Sequence, residues 1–219
     1  MTRFFLGITG ASGHAYAEAL LRALVDGGHE VDVSVTEAGA RVLRHELGVD
    51  AGVRGERLQA ALASWIGPRA SASVRAHPSD AVDARPASGT ALIGGAILCP
   101  CSMGTLARVA AGFSSNLVER CADVALKEGR RLVLVPRETP LNEIHLENML
   151  RLARMGAVVL PAMPGFYHRP ESLADLVDHL VGKILDRLGV EHALGARWEG
   201  IRPPAEDAGT EGPGGRRAT

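Results

Sequence analysis

Residues 3–25 read RFFLGITGASGHAYAEALLRALV, and this stretch decides the fold. Arg3 to Ile8 is a short apolar run that ends at the turn Thr9-Gly10-Ala11-Ser12-Gly13. From His14 to Val25 the apolar positions Ala17, Leu20, Leu21, Leu24 and Val25 follow at helical spacing. The pattern predicts strand, tight loop, amphipathic helix. Residues 30–47, EVDVSVTEAGARVLRHEL, repeat it: a β-branched strand from Glu30 to Thr36, then helical spacing from Glu37 to Leu47 through Ala38, Val42, Leu43 and Leu47. Strands alternating with helices imply a parallel sheet covered on both faces, because parallel neighbours need a crossover between them.

Working outward, residues 54–66 suit one more helix, whereas Gly67 to Thr90 mixes Ala, Ser, Pro and charge without a period and reads as a long excursion. Order resumes with a strand over Gly95 to Leu98, the turn Cys99-Pro-Cys-Ser-Met-Gly-Thr105, and helical patterns over Leu106 to Ala111 and Asn116 to Glu128. A strand at Leu132 to Val135 ends in Pro136-Arg-Glu-Thr-Pro140. A helix from about Asn142 to Arg154, a strand at Ala157 to Leu160, a loop from Pro161 to Pro170, and a Ser172-capped helix to Leu188 complete the series. Beyond Pro203 the chain is Pro, Gly and charge and is expected to be disordered. The expectation is therefore one doubly wound domain over residues 1–202 and a tail over 203–219. Ligands of such sheets lie beyond the carboxyl ends of the strands, here TGASG, Thr36, the Cys101–Thr105 turn and Pro-Arg-Glu.

Composition narrows the function classes. The 219 residues are 46% hydrophobic and 22% charged, as in ordinary soluble domains. With 24 Lys and Arg against 25 Asp and Glu, no one-signed field marks a nucleic-acid or membrane surface. Three clustered cysteines, Cys99, Cys101 and Cys121, make no disulfide framework and suit a reducing cytosol; a C-x-C without a second pair is poor zinc spacing, so no metal is expected. The apolar N-terminal run meets glycine too soon for a signal peptide or membrane span. Aromatic residues are 4%, so a mechanism that needs a box of stacked rings has few rings to use.

Gly7, Gly10 and Gly13 put backbone N–H groups and a positive helix end where a phosphate can sit. By itself this turn suits a dehydrogenase, a flavoprotein or a plain tight turn. Neither tyrosine opens a Tyr-x-x-x-Lys: Tyr16 is followed by Leu20 and Tyr167 by Glu171. Ser102-Met103-Gly104-Thr105 repeats the arrangement at a second strand end, and two such turns suit one ligand with a phosphate tail and a planar head. Arg137 and Glu138 stand at the rim of the sheet, the first suited to an anion and the second to moving a proton, unless they form an ion pair or a helix cap. Lys127 and Arg120 lie on the preceding helix, Glu46 ends an earlier one, and Tyr167 sits in a proline-bounded loop. His145-x-Glu147 lacks the Pro-Cys-x-x-Cys of a zinc deaminase, and the remaining histidines form no constellation.

Through GITGASG, VTEAGARVL, PASGT and the long run from Cys99 to Lys183, the sequence resembles the UbiX-like flavin prenyltransferases over roughly residues 3 to 198. The resemblance implies a Rossmann/flavodoxin-like, mainly parallel α/β sheet and a homo-oligomer, commonly a dodecamer. It further implies an enzyme that takes reduced FMN and dimethylallyl monophosphate, joins the prenyl group to flavin N5 and C6, and supplies prenylated FMN to a UbiD-type decarboxylase. Carried over, the FMN contacts fall on Gly10, Ala11, Ser12, Thr36, Ser102, Met103, Gly104, Thr105 and Arg120. Prenyl-phosphate contacts fall on Lys127, Arg137, Tyr167 and Lys183, with Glu138, Ser12 and Glu46 at the reacting centre. Cations at Lys127, Arg137 and Lys183 suit the phosphate charge that develops as the allylic C–O bond breaks.

The sequence departs from the family at Thr36 and Lys183, where Ser and Arg are expected, and at Asp80 to Ala84, which lacks an aromatic that relatives place ahead of PASGT. Two other classes compete. A flavin-dependent cysteine decarboxylase would need a catalytic histidine and a PxMNxxMW-like segment, neither legible here. A non-catalytic FMN carrier would not need Lys127, Arg137, Glu138, Tyr167 and Lys183 together. The apolar stripe of the last helix, Leu173, Leu176, Val177, Leu180, Val181, Ile184, Leu185 and Leu188, either docks on the protein's own sheet or edges an interface through which Tyr167 and Lys183 reach a neighbouring flavin.

Overall fold

The computed structural model describes residues 1–68 and 72–195, and the tail expected over 203–219 lies outside them. Six strands, β1 (Arg3–Ile8), β2 (Glu30–Val35), β3 (Val74–His77), β4 (Gly95–Cys101), β5 (Arg131–Pro136) and β6 (Val158–Val159), form one sheet in the order β3-β2-β1-β4-β5-β6. Every neighbouring pair is parallel. This is the doubly wound α/β arrangement expected from the opening βαβα. The order reverses between β1 and β4, the switch point at which such sheets open a crevice.

Helices cover both faces. Against one lie α1 (His14–Asp26), α2 (Glu37–Leu47), α3 (Leu58–Ile66) and α7 (Leu173–Leu188); against the other lie α4 (Met103–Ala110), α5 (Leu117–Lys127) and α6 (Glu143–Arg154). Close packing sets the crevice. A Cβ on Gly7 would stand 2.6 Å from Leu98 Cδ2 and 2.7 Å from Val118 Cγ1, so a glycine lets α5 settle directly onto β1. Pro100 brings no N–H to the ladder, and the register of β4 against β5 shifts between Leu98 and Cys101. The Pro100 carbonyl is taken instead by the Thr9 N–H at 3.2 Å and the Thr9 hydroxyl at 2.9 Å, which ties the two central strand ends together.

One expectation is corrected. The 67–90 excursion contains strand β3, paired with β2 through Val31↔Val74 to Ser34↔His77. Val74 is its one buried residue, so an edge strand of four had no alternation to show. Of the two readings of the α7 stripe, docking on the chain's own sheet holds for its C-terminal part: Leu180, Val181, Ile184, Leu185 and Leu188 pack into the same core as Leu20, Leu21 and Leu24 of α1. Its first turn projects outward, with Leu173 81% exposed, and Lys183 is exposed at the edge of the stripe. The outward apolar face belongs to α6, where Ile144, Leu146 and Leu150 are exposed and Leu152 alone is buried.

Candidate functional site

At the end of β1 the chain turns through Gly10, Ala11 and Ser12 into α1. A Cβ on Gly10 would lie 2.7 Å from the Ala38 Cβ, so the first turn of α2 closes on this loop. Glu46, near the end of α2, reaches back to its far side. Its carboxylate accepts the N–H of Gly13 at 3.0 Å and of His14 at 2.9 Å, and His14 Nδ1 stands 3.2 Å away. Partial burial works to raise the Glu46 pKa, but the hydrogen bond with the Ser12 hydroxyl, the two backbone donors and the His14 ring prevail and hold it at about 2. Glu46 is therefore an anionic anchor that orients Ser12 and takes the α1 N–H groups the sequence reading offered to a phosphate. His14 is fully buried, and burial is the main cause lowering its pKa.

The second glycine turn is tied to the first. Ser102 N–H donates to the Thr9 hydroxyl at 2.7 Å. The Ser102 side chain caps α4 by accepting the Thr105 N–H at 3.3 Å, and Thr36 caps α2 by accepting the Gly39 N–H at 3.1 Å. Ala11, Met103 and Thr105 are buried, so what they present to a ligand is backbone. Arg137, just past β5, completes the crevice: its Nε donates to the Ser12 carbonyl at 3.3 Å, and it has no carboxylate partner among the described residues. An arginine held at a switch point without a counter-ion fits an anionic or electron-rich ligand, which is the test an FMN site must pass. Glu138 neither pairs with Arg137 nor caps a helix. Its carboxylate accepts the Thr139 N–H at 3.0 Å, and it lines a cavity of about 440 Å³ with Arg137, Leu141, Met149, Pro161 and Met163.

Not all the expected residues converge. Tyr167 and Lys183 lie elsewhere: Tyr167 packs on His168 and His179, and Lys183 lines a pocket with Val158 and Leu160. Arg120 turns to the 86–90 segment, donating to the Ala87 carbonyl at 3.3 Å and pairing with Asp123 at 3.0 Å. Lys127 pairs with Glu128 beside Gly89 at the end of α5, four residues before β5 begins. It thus stands at the opposite edge of the sheet, roughly 20 Å from the crevice at about 3.3 Å per strand residue. A crevice in this chain is out of its reach.

Sequence reading gave no role to Thr9 or Arg108. Thr9 bridges the two glycine turns. Arg108 donates to the Thr105 hydroxyl at 3.3 Å and pairs with buried Glu119, which puts a cation over the first turn of α4. Its position one helical turn after Gly104 was the available signal. All three cysteines are buried and free, and burial pushes the Cys101 thiol up to about 12. No group of three or more His, Cys, Asp or Glu among the described residues is placed to hold a metal, and none of the described helices is long and apolar enough to cross a membrane.

Comparison with known proteins agrees with this geometry. The Flavoprotein family model matches residues 1–186. Flavin prenyltransferase UbiX of Halalkalibacterium halodurans is 50% identical over 195 residues, covering 89% of this chain and 92% of the relative. Among solved structures, AnUbiX in complex with FMN and dimethylallyl pyrophosphate superposes with a TM-score of 0.81 at 35% identity, over 92% of this chain and 99% of that one. A dodecameric FMN-dependent UbiX-like decarboxylase from Escherichia coli O157:H7 gives 0.79 at 40%, over 90% and 100%. Identity at this level along nearly the whole folded chain, together with the family model over residues 1–186, shows that the chain belongs to the flavin prenyltransferase UbiX family.

Proposed function

We propose that this enzyme binds reduced FMN in the β1/β4 crevice and transfers to it the dimethylallyl group of dimethylallyl monophosphate. Bound reduced FMN supplies the electron-rich ring whose N5 and C6 accept the prenyl group. Gly10, Ala11 and Ser12 on one side and Ser102, Met103, Gly104 and Thr105 on the other offer it backbone and small hydroxyls, with Thr36 behind them. The observation that carries the reading is Arg137, anchored on the Ser12 carbonyl and without an acid partner among the described residues. It holds negative charge at the place where the two glycine turns meet.

Lys127, Tyr167 and Lys183 join Arg137 as the prenyl-phosphate contacts and stabilise the charge that gathers on the leaving phosphate. Glu138, exposed at the mouth of the cavity, moves the proton lost when the new ring closes, and Ser12, oriented by ionised Glu46, serves as the hydrogen-bonding partner beside it. Because Lys127 lies at the far edge of its own sheet, a second copy of the chain must bring it, with Arg120 and the 86–90 segment. This supports a homo-oligomer, for which we take the dodecamer of the E. coli relative as the form. The prenylated FMN then passes to a UbiD-type decarboxylase.

The test is mass spectrometry of the bound flavin after anaerobic incubation with FMN, a reductant and dimethylallyl monophosphate. The flavin should gain one prenyl unit, and Glu138→Gln should form it about a hundredfold more slowly while binding FMN normally. Flavin of unchanged mass in the wild-type protein overturns the reading and leaves an FMN carrier.

A further inference from the structure

The loop after β6 folds back on α7 and brings together two histidines, eleven positions apart, that no sequence pattern links. His168 and His179 stack with ring centroids 4.6 Å apart and planes 12° from parallel. Tyr167 meets both edge-on, at 5.7 Å and 79° to His168 and 5.3 Å and 82° to His179. Gly165 makes room for the cluster: a Cβ there would stand 2.8 Å from Tyr167 Cε1 and 3.3 Å from His179 Nε2.

The backbone bends to present these rings. Arg169 has φ 53°, the one non-glycine residue in the left-handed region among those described, and its N–H closes the turn on the Phe166 carbonyl at 3.0 Å. A non-glycine residue in that region stores backbone strain, which persists only where the surroundings enforce it. Little else in the loop supplies that enforcement, since Met163 and Phe166 are 65% and 70% exposed. Both ring nitrogens of His168 are buried without a hydrogen-bond partner, so this imidazole serves as a flat surface. The parallel planes also keep the in-plane lone pairs of the two rings from converging on a metal. His179 is 7% exposed and lies one helical turn before Lys183, on the same side of α7.

We propose that the stacked imidazoles of His168 and His179 are positioning residues that hold Tyr167 and Lys183 together as one anion-recognising unit for the prenyl phosphate. His179 is the hinge of the unit, because it touches the Tyr167 ring from the helix that carries Lys183. The inference rests on the reading of Tyr167 and Lys183 as prenyl-phosphate contacts. It adds that their mutual placement is set by a ring stack and not by the loop backbone. Removing one member should therefore loosen the donor without touching the flavin.

The experiment uses the intact protein with 3-fluorotyrosine in place of its two tyrosines, Tyr16 and Tyr167. In His179→Ala the Tyr167 fluorine resonance should move while that of Tyr16 stays. KM for dimethylallyl monophosphate should rise roughly fivefold, the size of one lost aromatic pair, with kcat and FMN affinity within about twofold. His179→Phe, which keeps a flat ring, should restore both the resonance and KM. Gly165→Ala, which pushes a methyl into the Tyr167 ring, should reproduce the loss from the opposite side and keeps the test alive if His179→Ala fails to fold. A wild-type protein that turns over alongside a His179→Ala variant with an unmoved resonance or unmoved KM overturns the clamp. A wild-type protein that makes no prenylated flavin overturns the underlying reading and the clamp with it, even where the fluorine resonance responds.

Discussion

Replacing Glu46 by glutamine tests the electrostatic anchor of the site. The carboxylate holds the N–H groups of Gly13 and His14, the His14 ring and the Ser12 hydroxyl, and its pKa is about 2 against an ordinary 4.5. At about 1.4 kcal/mol per tenfold change in proton affinity, the difference corresponds to roughly 3 kcal/mol. The side chain is still 24% exposed, and solvent screening lowers the expected contribution to about 2 kcal/mol. Because the folded-state value is the lower one, this stability is fully present above pH 4.5 and is lost as the pH falls toward 2. Glu46→Gln keeps an acceptor oxygen and removes the charge. It should therefore be less stable than the wild type by about 2 kcal/mol at pH 7, with the deficit shrinking steadily below pH 4.5. Urea unfolding followed by circular dichroism at pH 7, 4.5 and 3 measures it. A variant as stable as the wild type at pH 7, or one whose deficit is the same at pH 3 as at pH 7, refutes the anchoring role.

Arg137→Ala should raise KM for dimethylallyl monophosphate by roughly ten- to a hundredfold, the cost of one charge-assisted contact, in a steady-state titration of the donor; an unchanged KM removes Arg137 from the prenyl-phosphate site. Gly10→Ala should lower stability by about 1–3 kcal/mol, since the new methyl meets the Ala38 Cβ at 2.7 Å and must move the first turn of α2, and a thermal melt equal to wild type would contradict that closeness. Lys127→Ala and Arg137→Ala subunits, each inactive alone, should recover part of the activity when dissociated and reassembled together, because a hybrid interface then holds one intact site. No recovery, with subunit exchange confirmed by native mass spectrometry, speaks against a site shared between chains.

The expected strands and helices that formed are those whose sequence carries a period. Ala17, Leu20, Leu21 and Leu24 announce α1, the run from Leu132 announces β5, and Ser172 caps α7 through the Asp175 N–H at 3.2 Å. Strand β3 carries none. It is an edge strand held by backbone pairing to β2, with Asp32 reaching across to His77 at 2.9 Å, and backbone hydrogen bonds leave no mark on residue choice.

The sequence by itself determined the parallel sheet, its glycine turns and the residue types at its strand ends, because local periodicity and glycine turns are short-range properties that need no knowledge of distant contacts. Tertiary structure decided which groups meet. Glu46 lies 33 positions from Gly13 and becomes the anchor of its turn, Ser12 and Arg137 are 125 positions apart and share a hydrogen bond, and His179 stacks on a loop histidine. It also separated residues that a motif reading had joined: Lys127 and Arg137 are ten positions apart, yet one ends a helix at the bottom of the sheet and the other follows a strand at its top. A strand crosses the sheet in six residues, so nearness in sequence says little about which edge a side chain serves.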